Sequence, residues 1–240
     1  MKVLIACEES QRVCIEMRKL GHEAYSCDIQ EPSGGHPEWH ILGDVLEILN
    51  WKDHGNNCGG IWFKTMDEHF HTVDKWDMII AHPPCTYLSN VATRHHSLNC
   101  TSLDKINDRT FKRVEVMQFF LNIANAECDR IAIENPIGVM NTAYRKPDQI
   151  IHPYFFAKGE NDTENYVTKA TCLWLKGLKP LTYKELPKPD NKKIFGVLPS
   201  GKAKTWEDSA SRIGGAAKSR SKTFPGIAKA MAEQWAGKAE

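Results

Sequence analysis

The chain lacks the features that define several large classes of protein. None of its eight cysteines forms a Cys-x-x-Cys pair, so we expect reduced thiols in a cytoplasmic protein rather than a zinc ribbon or a disulfide framework. Lys2 leads directly into a short apolar run followed by Glu8 and Glu9, which is not the pattern of a secretory signal. No apolar stretch approaches the ~20 residues that a membrane span needs. We therefore expect a soluble protein with no membrane partner.

A large charge imbalance is also missing. The formal net charge is only +1, so a surface that binds nucleic acid would have to be a local patch. Basic residues that could contact phosphates cluster in the second half of the chain: Lys188, Lys192, Lys193, Lys202, Lys204, Lys218 and Arg220. Each of them can equally be a solvated surface charge. Cys58, His69 and His71 lie in a segment, 52–75, that looks like an insertion, but they have no standard zinc spacing, so we expect no metal.

What the chain has is an alternation of short apolar strands and amphipathic helices. Strands are predicted at 2–6, 23–28, 76–82 and 130–136, with one more ending at Gly43-Asp44 and two strand-like runs near 153–157 and 171–175. Helices are predicted after Ser10, which we expect to be an N-cap, over 109–126, and over 224–237 with Pro225 in the first turn. This pattern predicts an α/β fold whose mostly parallel sheet has helices on both faces.

Glycine is missing from the turn after the first strand, "CEESQRV". A cofactor with a pyrophosphate needs close backbone approach at that turn, so the sequence argues against a NAD(P) enzyme. Asp28 closes the second strand, where an acid can accept hydrogen bonds from ribose hydroxyls or can simply cap a turn. A nucleoside cofactor without phosphates, such as S-adenosylmethionine, needs less of the backbone, and Asp44 would then lie near its adenine.

Two other strand ends carry reactive side chains. Cys85 follows two prolines, which stiffen the loop and present the thiol to the cleft, where His82 or a helix N-terminus could favour its thiolate. A buried, unreactive thiol is the alternative. Glu134 leaves the apolar strand "RIAIENP", where its surroundings can raise its pKa or let it bind a protonated ring nitrogen. Because ligands bind beyond the carboxyl ends of parallel strands, we expect these two side chains to face one cleft.

At this point the residues resemble a family. "HPPC" (82–85) and "ENP" (134–136) resemble the Pro-Cys and Glu-Asn motifs of DNA cytosine-5 methyltransferases, in the same order. "GHEAYSCDI" (21–29) resembles their cofactor half. "TKATCLWLKGL" (168–178) and "RSKTFPGIAKAMAEQW" (220–235) are similar to the later motifs of a compact, phage-type branch. The resemblance covers most of the chain, with 52–75 and 180–215 outside it.

The resemblance implies a Rossmann-like methyltransferase fold, with a catalytic domain of 1–140 plus 220–240 and a small target-recognition region of 141–219. It implies that the Cys85 thiolate adds to carbon 6 of a cytosine flipped out of the duplex. Glu134 would hold ring nitrogen 3 and its proton, so that carbon 5 can accept a methyl group from S-adenosylmethionine. Lys169 and Thr171 match the eighth motif, close to the base.

The same resemblance assigns two further sets of residues. Those implied to contact the cofactor are Cys7, Glu8, Asp28, Ile29, Asp44, Val45 and Pro83. Those implied to contact DNA are Lys169, Arg220 and Lys222. The short recognition region implies a short or relaxed recognition sequence. The sequence does not determine an oligomeric state, with a monomer as the default, and it implies action in the cytoplasm of a bacterial host if a phage encodes the protein.

Departures from the family pattern keep other functions open. Glu8, Glu9 and Ser10 stand where the family carries Phe and Gly, so a folate-derived one-carbon donor, giving hydroxymethylcytosine, is an alternative to S-adenosylmethionine. An amino-methyltransferase would need an aromatic residue at position 85 to stack on the flipped base. A catalytically inactive relative that only binds DNA or a nucleotide is the third alternative.

Overall fold

The computed structural model of the protein describes residues 1–50, 59–90, 99, 102–190, 196–197, 201, 203–204 and 222–239. Its strands are β1 (Lys2–Ala6), β2 (Glu23–Asp28), β3 (His40–Leu42), β4 (Ile61–Lys64), β5 (Phe70–Val73), β6 (Met78–Ala81), β7 (Ile131–Pro136), β8 (Gln149–Ile151), β9 (Thr171–Lys176), β10 (Gly196–Val197) and β11 (Ala203–Lys204). Its helices are α1 (Arg12–Lys19), α2 (Leu103–Ala124), α3 (Met140–Ala143) and α4 (Pro225–Trp235).

Seven of these strands form one sheet in the order β3-β2-β1-β6-β7-β9-β8. The first five in that order are parallel, whereas β9 is antiparallel to both β7 and β8. The β4–β5 and β10–β11 hairpins form separate two-stranded sheets. The five parallel strands follow the order with which a Rossmann-like sheet begins. The predicted α/β class and mostly parallel sheet are confirmed.

Buried side chains alternate between the two faces of this sheet, as the period of a strand requires. In β1, Val3 and Ile5 pack with α1 and α4 on one face, and Leu4 and Ala6 pack with α2 on the other. Helices thus cover both faces, so the strands are apolar runs with their polar residues at the ends.

Three local predictions were wrong. The N-cap of α1 is Gln11, in a left-handed conformation, and not Ser10. The run near 153–157 is a 3-10 turn over Pro153–Phe156, since Pro153 has no amide hydrogen for a ladder, and the strand is β8 just before it. The helix predicted over 109–126 begins earlier, at Leu103.

The proposed division of the chain at residue 140 stays a prediction. β8 and β9 both come from the 141–219 region, yet they complete the main sheet beside β7. This part of the region is therefore continuous with the sheet that carries the predicted catalytic residues. Within the described ranges, no helix has the length and apolar character to cross a bilayer.

The loop after β6 is tied to the loop after β7 by main-chain contacts. The amide of Val139 donates to the carbonyl of Leu88 at 2.8 Å, and the amide of Asn90 donates to the carbonyl of Ile137 at 3.0 Å. Ser89 also forms an isolated bridge with Gly138. A Cβ at Gly138 would lie 2.0 Å from the Leu88 carbonyl oxygen, so only glycine allows this approach.

We expect Gly138→Ala to destabilise the protein by about 1–3 kcal/mol, because a methyl group must push the two loops apart. Urea unfolding measures this effect. Gly159→Ala is the matched control, since a Cβ there meets no atom within 4 Å among its surroundings in the structure. Equal stability of the two variants would contradict the contact.

Candidate active site

The ends of β6 and β7 bring His82 and Glu134 into direct contact. β6 and β7 pair with Ala81 opposite Ile133, so the next residue of each strand extends the same register. His82 Nδ1 lies 3.0 Å from Glu134 Oε2. The His82 side chain is 7% exposed and the Glu134 side chain 16%. Within the described part of the chain, His82 Nε2 is buried and has no hydrogen-bond partner.

Each member of this pair stabilises the charge of the other. Burial alone would lower the pKa of His82, but the hydrogen bond and charge of Glu134, with the charge of Glu8, raise the pKa above its ordinary value. Burial would raise the pKa of Glu134, but His82 and then Lys169 lower it overall. Of the two possibilities for Glu134, a raised pKa is thus not favoured, and a carboxylate that accepts a hydrogen bond is.

Cys85 is exposed on the loop after β6. Its carbonyl accepts hydrogen bonds from the amides of Leu88 and Ser89, which turns the chain immediately after the thiol. Pro83 is buried, and its carbonyl accepts a 2.7 Å hydrogen bond from Asn135 Nδ2. A buried Cys85 is thus excluded, and Asn135 fixes the base of the Cys85 loop against the end of β7.

A narrow cavity adjoins Glu134 between β9 and the start of α4. Its other lining residues are Lys169, Thr171, Lys222, Thr223, Phe224 and Ile227. It measures about 10 Å³, which is room for about one water molecule. The cavity is too small for the flipped cytosine that the resemblance implies, and Cys85, which we expected to face the same cleft as Glu134, is not among its lining residues. A base could occupy it only after its walls move.

Lys169 and Thr171 both line this cavity beside Glu134. Thr171 is buried at the start of β9, and its hydroxyl lies 3.4 Å from the Lys169 carbonyl. The ammonium of Lys169 lies 5.5 Å from the centre of the Phe224 ring. Lys169 is near enough to lower the pKa of Glu134 through its charge. These residues form a polar, positively charged wall beside the His82–Glu134 pair.

Glu8 has a role that the sequence analysis missed. Its carboxylate accepts hydrogen bonds from the amides of Val13 and Cys14, at 2.7 and 3.2 Å, in the first turn of α1. Burial raises the pKa of Glu8, although His82 and these two amides act against that rise. The carboxylate thus occupies the helix N-terminus, which is the site where a dinucleotide pyrophosphate binds in related sheets.

Left-handed residues replace glycine in the turn between β1 and α1. Cys7 has φ 60° and Gln11 has φ 55°. Side chains other than glycine adopt this conformation at a cost of about 1–3 kcal/mol, and such residues concentrate at functional sites. The turn therefore adopts left-handed conformations without glycine, and its Glu8 side chain is buried.

Asp28 and Ile29 stand at the carboxyl end of β2. Asp28 Oδ1 accepts a hydrogen bond from the amide of Gln30, and Ile29 is 78% exposed. Burial raises the pKa of Cys7 well above its ordinary range, and the charges of Asp28, Cys27 and Asp44 add to this effect. Cys7, Asp28 and Asp44 therefore share one region at the ends of β1, β2 and β3, which is where the resemblance implied a cofactor.

Two other predicted cofactor residues are engaged within the fold. Asp44 Oδ1 accepts a hydrogen bond from Leu46 and so caps the 3-10 turn Val45–Glu47. Val45 is buried in the core, so its side chain cannot line an open cofactor site. The prediction that the Val45 side chain contacts a cofactor is therefore wrong. Asp44 itself is exposed.

The predicted DNA contacts are only partly described. Lys222 lines the cavity next to Glu134, and its ammonium donates to Ser33 Oγ at 2.8 Å. Arg220 and four of the predicted phosphate contacts, Lys192, Lys193, Lys202 and Lys218, lie outside the described residues, and Lys204 is described only as part of β11. Cys58 also lies outside them. In the described ranges no group of three or more His, Cys, Asp or Glu could hold a metal.

We expect histidine NMR to show a pKa for His82 above the ordinary 6.5, falling in Glu134→Gln, because the amide removes the partner charge. His82 with a raised pKa adds stability below pH 6.5, and loses it as the pH rises through the folded pKa. Glu134 with a lowered pKa adds stability above pH 4.5, and loses it as the pH falls through the folded pKa. The stability difference between wild type and Glu134→Gln should therefore be largest between pH 4.5 and 6.5. A titration of His82 identical in both proteins would refute the pair.

Comparison with known proteins adds no family to this geometry. No protein-family model matches the chain, and no curated protein matches it.

Proposed function

We propose that the protein modifies carbon 5 of cytosine in DNA by methyl transfer from S-adenosylmethionine. The observation that carries the proposal is the pairing of Glu134 with His82 at the ends of adjacent strands, next to the loop that exposes Cys85. A thiol and a carboxylate at neighbouring strand ends are the two groups that carbon 5 chemistry needs. The substrate would be DNA, in the cytoplasm of a bacterial host, and the protein would act as a monomer.

The sheet supports the proposal. Counting only strands of the main sheet, its order is 3-2-1-4-5-7-6, with the seventh reversed. In this sheet a reversed strand is inserted beside the fifth, and the resemblance implies a methyltransferase fold. The classic dinucleotide order, 3-2-1-4-5-6, has no such insertion. We infer the methyltransferase version of the fold from this difference.

Each side chain would have one task in the reaction. The Cys85 thiolate attacks carbon 6, so a bond forms between sulfur and carbon and the ring electrons move toward carbon 5. Glu134 accepts a hydrogen bond from nitrogen 3 once that nitrogen carries a proton, which stabilises the electron-rich ring. S-adenosylmethionine supplies the methyl group to carbon 5. Loss of the carbon 5 proton to a base then lets the thiolate leave.

The first turn favours a cofactor without phosphate. Because the Glu8 carboxyl group already accepts hydrogen bonds from the amides of Val13 and Cys14, a pyrophosphate would find these donors at the N-terminus of α1 taken. Asp28 can accept hydrogen bonds from a ribose, and the exposed side chain of Ile29 offers an apolar surface to a purine ring. These features fit S-adenosylmethionine, and they disfavour NAD(P). A folate-derived donor also carries no pyrophosphate and remains the second candidate.

DNA contact would centre on the cavity wall. Lys169 and Lys222 place two ammonium groups at the edge where Glu134 lies, and such groups bind phosphates without reading sequence. The β8–β9 part of the recognition region joins the sheet directly, which leaves little chain for base-specific contacts. We therefore infer that the protein recognises a short or relaxed DNA sequence.

We expect the protein to form 5-methylcytosine when it is incubated with DNA and labelled S-adenosylmethionine, and we expect Cys85→Ser to abolish it. Digestion to nucleosides identifies the product. Cys128→Ser is the matched control, because that buried sulfur donates to the carbonyls of Trp76 and Arg130 and a hydroxyl can replace it.

Other products would point elsewhere. Hydroxymethylcytosine formed only with a methylene-folate donor would establish the second candidate. Label on adenine would indicate an amino-methyltransferase. DNA binding without label from either donor would indicate an inactive relative, and the proposal would then be wrong.

We expect Asp28→Asn to weaken binding of S-adenosylmethionine roughly 10-fold, because a hydrogen bond to a charged acceptor contributes about 1.5–3 kcal/mol and the amide keeps only part of it. The side-chain carbonyl of the variant can still accept from the Gln30 amide, so the fold should be unaffected. Isothermal titration calorimetry gives the affinity. Glu23→Gln, at the opposite end of β2, is the control and should bind like wild type. Equal weakening in both variants would show that Asp28 does not face the cofactor.

A further inference from the structure

Three charged side chains from three different parts of the chain act on His82. From β7 it faces Glu134, from the β1–α1 turn it faces Glu8, and from the chain before β9 it faces Lys169. Nδ1 is bonded to Glu134, and Nε2 is buried without a partner among the described residues. A buried ion pair adds little to stability compared with well-packed neutral side chains. Stability alone therefore does not explain this arrangement.

We propose that His82 is a positioning residue that holds the proton which Glu134 delivers to nitrogen 3 of the cytosine. The proposal rests on the proposed function and deepens it. Glu134 is ionised in the resting site, yet nitrogen 3 of a neutral cytosine is an acceptor and would meet a carboxylate lone pair. A proton must therefore come from a group next to Glu134, and His82 Nδ1 is 3.0 Å from Oε2.

The transfer balances in atoms and charge. Before attack the site holds an imidazolium at His82, a carboxylate at Glu134, a thiolate at Cys85 and a neutral cytosine. When sulfur bonds to carbon 6, the proton leaves His82 Nδ1 for the Glu134 carboxyl group and passes on to nitrogen 3. The products are a neutral imidazole, an unchanged carboxylate and a neutral adduct protonated at nitrogen 3. When the thiolate leaves, the proton returns by the same path.

The position of Nε2 fits this cycle. An imidazolium carries a proton on both nitrogens, so Nε2 keeps its hydrogen throughout and only Nδ1 exchanges. Because Nε2 is buried away from solvent, bulk water cannot readily remove the proton from the back of the ring. The negative charge of Glu8 favours the protonated form of His82, and the positive charge of Lys169 favours the neutral form. The two neighbours therefore act in opposite directions on the proton of His82.

The test is covalent trapping on DNA that contains 5-fluorocytosine, in the presence of S-adenosylmethionine. The trapping rate is measured from about pH 6 to about pH 10, because this range lies mostly above the ordinary histidine pKa of about 6.5. In wild type we expect trapping to slow as the pH rises through the raised pKa of His82. His82→Asn keeps a donor near the position of Nδ1 but has no proton to release. We expect it to trap roughly 100-fold more slowly at neutral pH, the usual range for lost acid catalysis, and to lack the alkaline decline.

Two controls separate the outcomes. His22→Asn removes another buried histidine, whose ring bonds to the Gly237 carbonyl far from the site, and it should trap like wild type at every pH. Circular dichroism across the same pH range shows whether each variant is folded. If wild type does not trap, the proposed function fails. If wild type traps and His82→Asn traps with the same rate and pH profile, His82 holds no catalytic proton and the inference is wrong.

Discussion

The parallel register between β6 and β7 is the constraint on which the candidate site depends. It sets Ala81 opposite Ile133, so the residues that follow must emerge side by side at the carboxyl edge of the sheet. Those residues are His82 and Glu134, and each is too polar to be buried alone. Their contact offsets the burial of both charges, and Asn135 on β7 binds the loop after β6 that carries Cys85. A slip of one residue would turn one member of the pair into the core.

The main features of the sheet were predictable because they depend on local pattern. The bounds of β1 and β2 agree with the prediction, since short apolar runs between polar turns leave few other choices. The place of β9 between β7 and β8 was not predictable, because antiparallel insertion depends on contacts between distant parts of the chain. The 153–157 run was misassigned because its apolar residues hid the effect of Pro153.

The candidate site was predictable as a set of residues but not as a set of contacts. Cys85, Glu134, Lys169 and Thr171 all lie at the same edge of the sheet, as their positions after or before strands indicated. The pairing of His82 with Glu134 was missed, although both residues stand one step beyond the paired core of adjacent strands, and that equal offset was a usable signal. The capping of α1 by Glu8 had no such signal. It depends on left-handed conformations at Cys7 and Gln11, and neither residue type predicts that conformation.

The small cavity beside Glu134 gives this site its remaining physical problem. Glu134 and His82 are largely buried, which strengthens their attraction, but the adjoining space of about 10 Å³ has no room for a base. Its walls come from two sources: Thr171 belongs to the sheet, whereas Lys169, Lys222 and Phe224 lie on segments outside regular secondary structure. Movement is cheaper for the second group. Because two of those three residues are cationic, under the proposed function a DNA phosphate would draw them outward, so that binding of the DNA backbone and opening of the cavity would be the same event. The charged pair would then meet a base only when DNA is already in place.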